Sequence, residues 1–246
     1  MNLPKNRWLA FASHFGISLL IFLALLLIIV FFWYPGALFA AAGGWQGIRI
    51  VVGVDLVLGP LLTLIVYDIA KPRKVLFRDL LVIVLIQFSC LVGGVYVVFD
   101  ERPVTVTYVH DKFYVLKNSD FIKSGTDPKT LGLNLMTPKI FYTELTQLSD
   151  ESGVEAEVIV GLYNFTGNDL AYRTDLYVPF PKTSKEAAVV FRGNKLPQYQ
   201  EHSADCVTVE LVSAFGGGIV CFGVEAQSLE DFVSLTALQA RQDPGN

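Results

Sequence analysis

The sequence predicts a membrane protein with a three-helix transmembrane N-terminal bundle and a small α+β domain beyond the membrane. Three observations indicate this fold class. The 246-residue chain is 52% hydrophobic and only 17% charged, whereas a soluble domain usually carries about a quarter charged residues. The charge deficit is confined to residues 11–99. Residues 100–246 have an ordinary globular composition and are numerous enough to bury a core.

Three apolar segments, residues 11–34, 48–69 and 80–99, are the predicted transmembrane helices. Each has about 20 residues or more, which at ~1.5 Å per residue spans a hydrocarbon core of ~30 Å. Lipid leaves no partner for unpaired backbone groups, so each segment must be helical. The first segment is longer than the apolar core of a signal peptide, and we expect it to remain as an anchor.

Basic residues predict the orientation of these helices. They precede the first segment and fill the loop 70–79, whereas the loop 35–47 has no Lys or Arg. Basic loops stay in the cytoplasm. Residues 1–10 and 70–79 are therefore expected in the cytoplasm, and residues 35–47 and 100–246 on the opposite side.

Alternation of apolar and polar residues indicates the secondary structure of the last 147 residues. Residues 117–138 are expected to be mostly loop, and the pattern of residues 154–162 fits helix or strand. The other predicted elements are strands at 104–109 and 113–116, a short helix at 140–148, an extended stretch at 176–178, a β-hairpin of 207–212 and 219–224 turning at Gly216–Gly218, and a terminal helix at 229–240.

Asp55 is the most informative residue, because it is an acid within the second apolar segment. Such a side chain costs about 3 kcal/mol in a membrane and usually faces a partner or a cavity. Counting along the helices places Gly93 and Gly94 at its level, where small residues let helices approach. The same count places Gln87 too deep for direct contact.

Two interpretations of Asp55 stay open. It is either a protonated carboxyl group hydrogen-bonded to a neighbouring helix, or a docking point for a basic or polar group of a partner helix. A proton path is disfavoured, because transport normally needs more buried polar groups than these helices offer.

Signals for catalysis are missing from the sequence. It has no motif of a serine hydrolase, a metalloprotease or a nucleotide-binding loop. We therefore expect no enzymatic activity, no cofactor and no metal. His202 and Cys206 are four residues apart and form only a weak metal pattern, and His110 is expected in a solvated turn. The net charge of −4 disfavours nucleic acid as a partner.

Cys206 and Cys221 are candidates for a disulfide, because both lie in the domain outside the membrane. A hairpin turning at Gly216–Gly218 would place Cys221 opposite a residue near Leu211 and not opposite Cys206, so a bridge requires a different turn or a bulge. Cys90 is expected to be a buried thiol in the third segment.

Several motifs resemble the TfpX/TfpZ family of type IV pilin accessory proteins, most strongly over residues 1–115. The motifs are Trp33-Tyr34-Pro35-Gly36, the run Gly53-Val54-Asp55-Leu56-Val57-Leu58-Gly59-Pro60-Leu61-Leu62-Thr63-Leu64, Arg102-Pro103 and Asp111-Lys112-Phe113, with a weaker echo in Asp175-Leu176-Tyr177-Val178-Pro179. The resemblance implies a bacterial inner-membrane protein without enzymatic activity that assists a type IV pilin. The domain outside the membrane is then periplasmic.

The resemblance suggests how a partner is bound. A pilin subunit waits in the inner membrane by its apolar helix, with its head in the periplasm, so a protein with a helix bundle and a periplasmic domain can contact both parts. The candidate partner-binding residues are Asp55, Gly59, Pro60, Asp111 and Phe113. Membrane lipid is the other expected partner, and the oligomeric state stays open. The alternative function is a membrane-anchored periplasmic sensor, or a general envelope assembly factor unrelated to pili.

Overall fold

A computed structural model describes residues 6–109, 111–133, 136–143, 170–171, 173–191 and 206–242. The chain folds into two compact units. The helical unit comprises Met1–Ile29 and Trp45–Phe99, and the sheet unit comprises Val30–Gly44 and Asp100–Asn246. The sheet unit is therefore discontinuous in sequence, because residues 45–99, which contain the second and third apolar segments, come between its two parts.

Among the residues that the structure describes, two helices are long and apolar enough to cross a membrane. They are Arg7–Trp33, with a mean hydropathy of 3.2, and Arg73–Asp100, with 2.5. The first consists of α1 (Arg7–Ile28), which the Asn6 side chain caps through Leu9 N at 2.8 Å, and a π-helical turn at Ile29–Trp33. The second is α5. Only 11% of the most apolar window of each is buried, so most of their apolar side chains face outward, as lipid-facing residues do.

The second apolar segment is an interrupted helix. It runs through α3 (Gly44–Val51), a π-helical stretch (Val52–Leu58) and α4 (Gly59–Val66), and its apolar part, Asp55–Val66, is shorter than the other two. Pro60 accounts for the wide stretch, because its ring lacks an N–H and would clash with the carbonyl group one turn earlier in a regular helix. A transmembrane bundle of three helices thus stays a prediction.

The sheet unit is a small α+β domain whose described strands β1 (Pro103–Val109), β2 (Lys112–Lys117), β3 (Lys139–Thr143), β4 (Tyr177–Pro179), β5 (Cys206–Ser213), β6 (Gly216–Gly223) and β7 (Ser228–Ser234) form a mixed sheet of order β4-β3-β1-β2-β5-β6-β7. The β1–β3 and β2–β5 pairs are parallel and the other pairs are antiparallel. The α-helices are α2 (Leu38–Ala41), α6 (Asn118–Ser124), α7 (Ser184–Phe191) and α8 (Leu235–Gln242), with 3₁₀ turns at Pro128–Leu131 and Thr174–Leu176.

Two groups of side chains form the core of the sheet unit. An aromatic group meets mainly edge to face, with ring centroids 5.0–6.5 Å apart, and consists of Tyr108, Phe113, Phe180, Phe191 and Phe222. A second group consists of Val104, Val109, Leu116, Phe121, Leu133, Phe141, Leu170 and Ala171. Burial of these groups is the main source of the domain's stability.

The structure corrects four local predictions. The predicted helix at 140–148 is wrong over its described part, where Lys139–Thr143 forms β3. The predicted helix at 229–240 begins only at Leu235, since its first half is β7. The predicted loop at 117–138 contains α6. The predicted turn at Gly216–Gly218 is part of β6, and the hairpin turns at residues 214–215. Residues 154–162 lie outside the described residues.

The loop between the first two apolar segments is clamped to the last strands of the sheet unit. Ala37 N donates to Leu229 O of β7 at 2.9 Å, and Ser213 Oγ donates to Ala41 O at 2.5 Å. Gly36 has a φ of +59°, and Leu229 O lies 2.5 Å from the position that a Cβ would take there. This turn therefore requires glycine.

The exit from α5 into β1 is fixed by a polar network. Asn118 donates from Nδ2 to Asp100 Oδ1 at 3.1 Å and from its backbone to Arg102 O at 3.3 Å, and Lys117 forms an ion pair with Glu101. Arg102 is only 1% exposed, and burial lowers the pKa of its guanidinium while Tyr34 and Asp100 act in the opposite direction. Two of the family motifs, Trp33–Gly36 and Arg102-Pro103, thus meet inside the sheet unit and have a structural role.

Candidate functional site

A cavity of about 440 Å³ lies between the helices of the helical unit. Its walls are mainly apolar, with Ile17, Ile21, Val84, Phe88 and Leu91 among them. Six polar or hydroxyl-bearing residues also line it: His14 and Ser18 from α1, Asp55 from the π-helical stretch, Thr63 from α4, Tyr67 just after α4, and Gln87 from α5. Apolar walls with a few converging polar groups are typical of a binding cavity.

The spacing of residues along the second segment brings its polar side chains to the cavity. Asp55, Gly59 and Thr63 are four residues apart, which places them near one face of the helix. All three are buried, as is Pro60. The π-helical stretch widens the backbone directly around Asp55, and such stretches are frequent at functional sites.

Among the described residues that line the cavity, Asp55 is the one acid. It is only 7% exposed, although many apolar side chains of the same unit are more than half exposed. Among the described residues the structure gives its carboxyl group no hydrogen bond and no ion pair. Arg49, six residues earlier, is exposed and does not line the cavity.

His14 and Gln87 form the polar wall opposite the second segment. His14 Nδ1 lies 2.6 Å from Thr63 Oγ1, and its ring is next to Gln87. The Gln87 amide packs directly on Gly59, where a Cβ would overlap it. Gln87 Oε1 is buried and has no donor in hydrogen-bonding geometry among the described residues. The helices α4 and α5 thus approach closely at Gly59, where a side chain would not fit.

The close approach predicted at Gly93 and Gly94 is wrong. A Cβ at either position would meet nothing within 4 Å. The helices instead approach at Gly59 and at Gly47, where a Cβ would lie 2.9 Å from Val98 Cγ2. Cys90, predicted to be buried, is exposed on the surface of the helical unit.

The remaining partner-binding candidates lie in the sheet unit. Asp111 is half-buried in the turn between β1 and β2. Phe113 is 0% exposed and lies within ring-contact distance of Tyr108, Phe180 and Phe222. Its ring is therefore part of the core, and a contact of Phe113 with a partner stays a prediction.

Cys206 and Cys221 are bonded as a disulfide with their Cα atoms 5.6 Å apart. Because the hairpin turns at residues 214–215, Cys221 pairs with Thr208 and not with Leu211. Cys206 is two residues from Thr208 on the same face of the sheet, which makes the bridge a diagonal one. His110 and His202 lie outside the described residues. The structure therefore does not describe the weak metal pattern of His202 and Cys206.

Sequence reasoning missed the convergence of His14, Thr63 and Gln87 on the cavity. Each is a polar residue within an apolar segment, which is the signal that singled out Asp55. The rotation of three helices about their axes decides which of these residues meet, and one sequence does not specify it. Among the described residues there is no cluster of three or more His, Cys, Asp or Glu side chains that would hold a metal ion.

The fold and the cavity define a class of protein, a membrane-associated α+β protein whose helical unit contains a largely apolar cavity lined by a buried acid. Comparison with known proteins narrows this class. No family model matches the chain, and no solved structure does.

Three fimbrial assembly proteins of Dichelobacter nodosus are similar to this chain. The serogroup I protein is 33% identical over 180 residues, which are 72% of this chain and 69% of the relative. The serogroup E1 protein is 33% identical over 122 residues, 48% of this chain and 48% of the relative. The protein of serogroups C1 and C2 is 32% identical over 122 residues, 48% of this chain and 93% of the relative. The chain belongs to the family of these fimbrial assembly proteins, which confirms the resemblance to pilus accessory proteins.

Proposed function

We propose that this protein is a non-enzymatic accessory protein of the bacterial inner membrane, a chaperone or assembly factor for a type IV pilin. The observation that carries the proposal is the 33% identity over 180 residues with a fimbrial assembly protein. The names of all three relatives support a role in the assembly of pili rather than in catalysis.

The proposed topology has three transmembrane helices. The N-terminus and the basic loop after α4 are in the cytoplasm, and the sheet unit is in the periplasm. The Cys206–Cys221 disulfide supports a periplasmic location for the sheet unit, because disulfides form and persist in that compartment.

Two linked contacts with the pilin follow from this topology. The helical unit packs on the apolar membrane helix of the pilin, and the sheet unit contacts its periplasmic head. Each contact raises the effective concentration for the other, so neither has to be tight. Weak contacts suit a protein that must release its pilin when the subunit joins a filament.

Asp55 and its cavity are the proposed contact with the membrane helix of the pilin. The carboxyl group is held inside the protein, next to a cavity that has room for a side chain. Asp55 is then a positioning contact, and Gly59 and Pro60 act through the backbone beside it, where Gly59 leaves space for the Gln87 amide.

Site-specific photocrosslinking tests the proposal. A photoreactive amino acid is placed at Phe88, which lines the cavity, or at Ile86, which lies on another side of α5. Ile86 is the matched control, because its side chain is 54% exposed and that of Phe88 is 63% exposed. We expect a crosslink to the major pilin from Phe88 and not from Ile86. Equal crosslinks, or none from either position, would contradict a pilin contact at this cavity.

Substitution of Asp55 tests its role in the same cells. We expect Asp55→Asn and Asp55→Leu to reduce both the crosslink and the number of surface pili. Unchanged values for both variants would leave Asp55 with a structural role. Deletion of the gene, with normal surface pili and normal twitching as the result, would favour a sensor or a general envelope assembly factor.

A further inference from the structure

The cavity of the helical unit presents hydrogen-bond acceptors without matching donors. The Asp55 carboxyl group and Gln87 Oε1 are both buried, and the described residues supply no donor in hydrogen-bonding geometry to either. His14 and Thr63 bond to each other. A buried acceptor without a donor costs free energy, so these two groups favour a ligand that donates hydrogen bonds.

Charge makes the ligand more specific. None of the cavity-lining residues that the structure describes is Lys or Arg, whereas Asp55 among them is an acid. A buried carboxylate is stabilised by a cation that also donates hydrogen bonds. The apolar walls formed by Ile17, Val84 and Phe88 suit an aliphatic stem, so the geometry fits a cationic head on an apolar chain.

The depth of the site distinguishes a helix from a lipid headgroup as the source of that cation. Asp55 is eleven residues from Gly44 and eleven from Val66, the two ends of its helical segment. At about 1.5 Å per residue it lies roughly 16 Å from either end. Lipid headgroups lie at the membrane surface, whereas a side chain of a transmembrane helix reaches the middle of the bilayer.

We propose that this cavity binds an amino group carried at mid-membrane depth by an apolar transmembrane helix, which pairs with Asp55 and hydrogen-bonds to Gln87. The proposal rests on the proposed function, in which a membrane helix is the partner, and it adds the chemical group that the site selects. A partner helix without such a group packs on the same face more weakly.

Synthetic helices in vesicles provide a test that does not depend on a pilin. The full-length protein, in phosphatidylcholine vesicles at pH 7, is titrated with 23-residue Leu/Ala peptides by energy transfer between fluorophores. One peptide has a central lysine, a second has norleucine there, which keeps the stem and lacks the amino group, and a third has lysine near one end. The protein variants are wild type, Asp55→Asn, and Asp68→Asn as the control at an exposed acid after α4.

We expect wild type and Asp68→Asn to bind the central-lysine peptide about tenfold or more tightly than the norleucine peptide, as for a hydrogen bond to a charged group. Asp55→Asn should abolish this preference and leave norleucine binding unchanged. Equal binding of both peptides to wild type would overturn the proposal. So would a preference that persists in Asp55→Asn, or equal binding of the central and terminal lysine peptides.

Two further results distinguish this proposal from binding of a lipid amine and from the proposed function. Loss of peptide binding when phosphatidylethanolamine is added would assign the site to a lipid amine and overturn the proposal. Lysine selectivity without a pilin crosslink from Phe88 would refute the proposed function alone. A pilin crosslink without lysine selectivity would refute only the choice of ligand.

Discussion

Gly36→Ala should release the loop of residues 35–44 from the sheet unit. The substitution places a Cβ 2.5 Å from Leu229 O, and the residue must keep a φ of +59°. A left-handed conformation costs a residue other than glycine about 1–2 kcal/mol. Relief of the clash breaks the bond from Ala37 N to Leu229 O, which is worth about 1 kcal/mol. The clamped loop should therefore be destabilised by about 2–3 kcal/mol.

Hydrogen exchange measures this loss directly. At about 1.4 kcal/mol per factor of ten, the backbone amides of residues 37–42 should exchange roughly 30- to 150-fold faster in the variant. Mass spectrometry of the full chain in mild detergent resolves peptides from the loop and from β7. The effect should be confined to these two segments.

Gly125→Ala is the matched control for this experiment. Gly125 also has a positive φ, +73°, but a Cβ there would meet nothing within 4 Å. It should weaken only the end of α6, by about 1–2 kcal/mol. If Gly36→Ala leaves the exchange of residues 37–42 unchanged, the clamp does not hold the loop, and the reasoning from the Leu229 contact is refuted.

Three further predictions concern the stability of the sheet unit, measured by denaturant unfolding of the full chain in detergent. Phe113→Ala should lower the free energy of unfolding by about 3–5 kcal/mol, because a fully buried ring leaves a cavity; a loss below 1 kcal/mol would return Phe113 to the surface candidates. Cys206→Ser should lower it by about 3 kcal/mol by opening the disulfide, and adding reductant to that variant should have no further effect. Tyr177→Phe should cost about 1 kcal/mol, because the Tyr177 hydroxyl donates to Leu170 O at 2.9 Å. Burial raises the pKa of the Tyr177 hydroxyl. Near pH ~10 the unfolded chain therefore loses the hydroxyl proton while the folded protein retains it, and the free energy of unfolding falls as the pH rises further. This fall should be less steep in Tyr177→Phe than in wild type.

Hydrophobic length and alternation predicted the parts of the fold that depend on local sequence. The two long helices lie close to the predicted segments, and β1 and β2 lie where β-branched residues alternate with polar ones. The interruption at residues 52–58 was not predicted, since apolar composition does not distinguish an α-helical from a π-helical turn. Pro60 was the residue in the sequence that could have indicated this interruption.

Tertiary pairing decided the elements that sequence reasoning assigned wrongly. Residues 139–143 join the sheet as a parallel neighbour of β1, so pairing overrides their helical spacing. Gly218 was interpreted as a turn residue but lies within β6. A glycine fits at this position because the Phe232 ring of β7 occupies the space that a side chain would fill. Asp55 was identified from its cost in a membrane, whereas the approach of Gln87 to Gly59 depends on how two helices are rotated.

The clamp on residues 35–44 also constrains the order in which the protein is made. Ala41 is bonded by a serine that the ribosome adds 172 residues later, and Ala37 by a residue later still. The sheet unit therefore cannot be completed during early synthesis, and in the topology we propose the loop waits until the last strand has crossed the membrane. A chain that stalls or is cut before residue 229 would leave this loop without its partner strand.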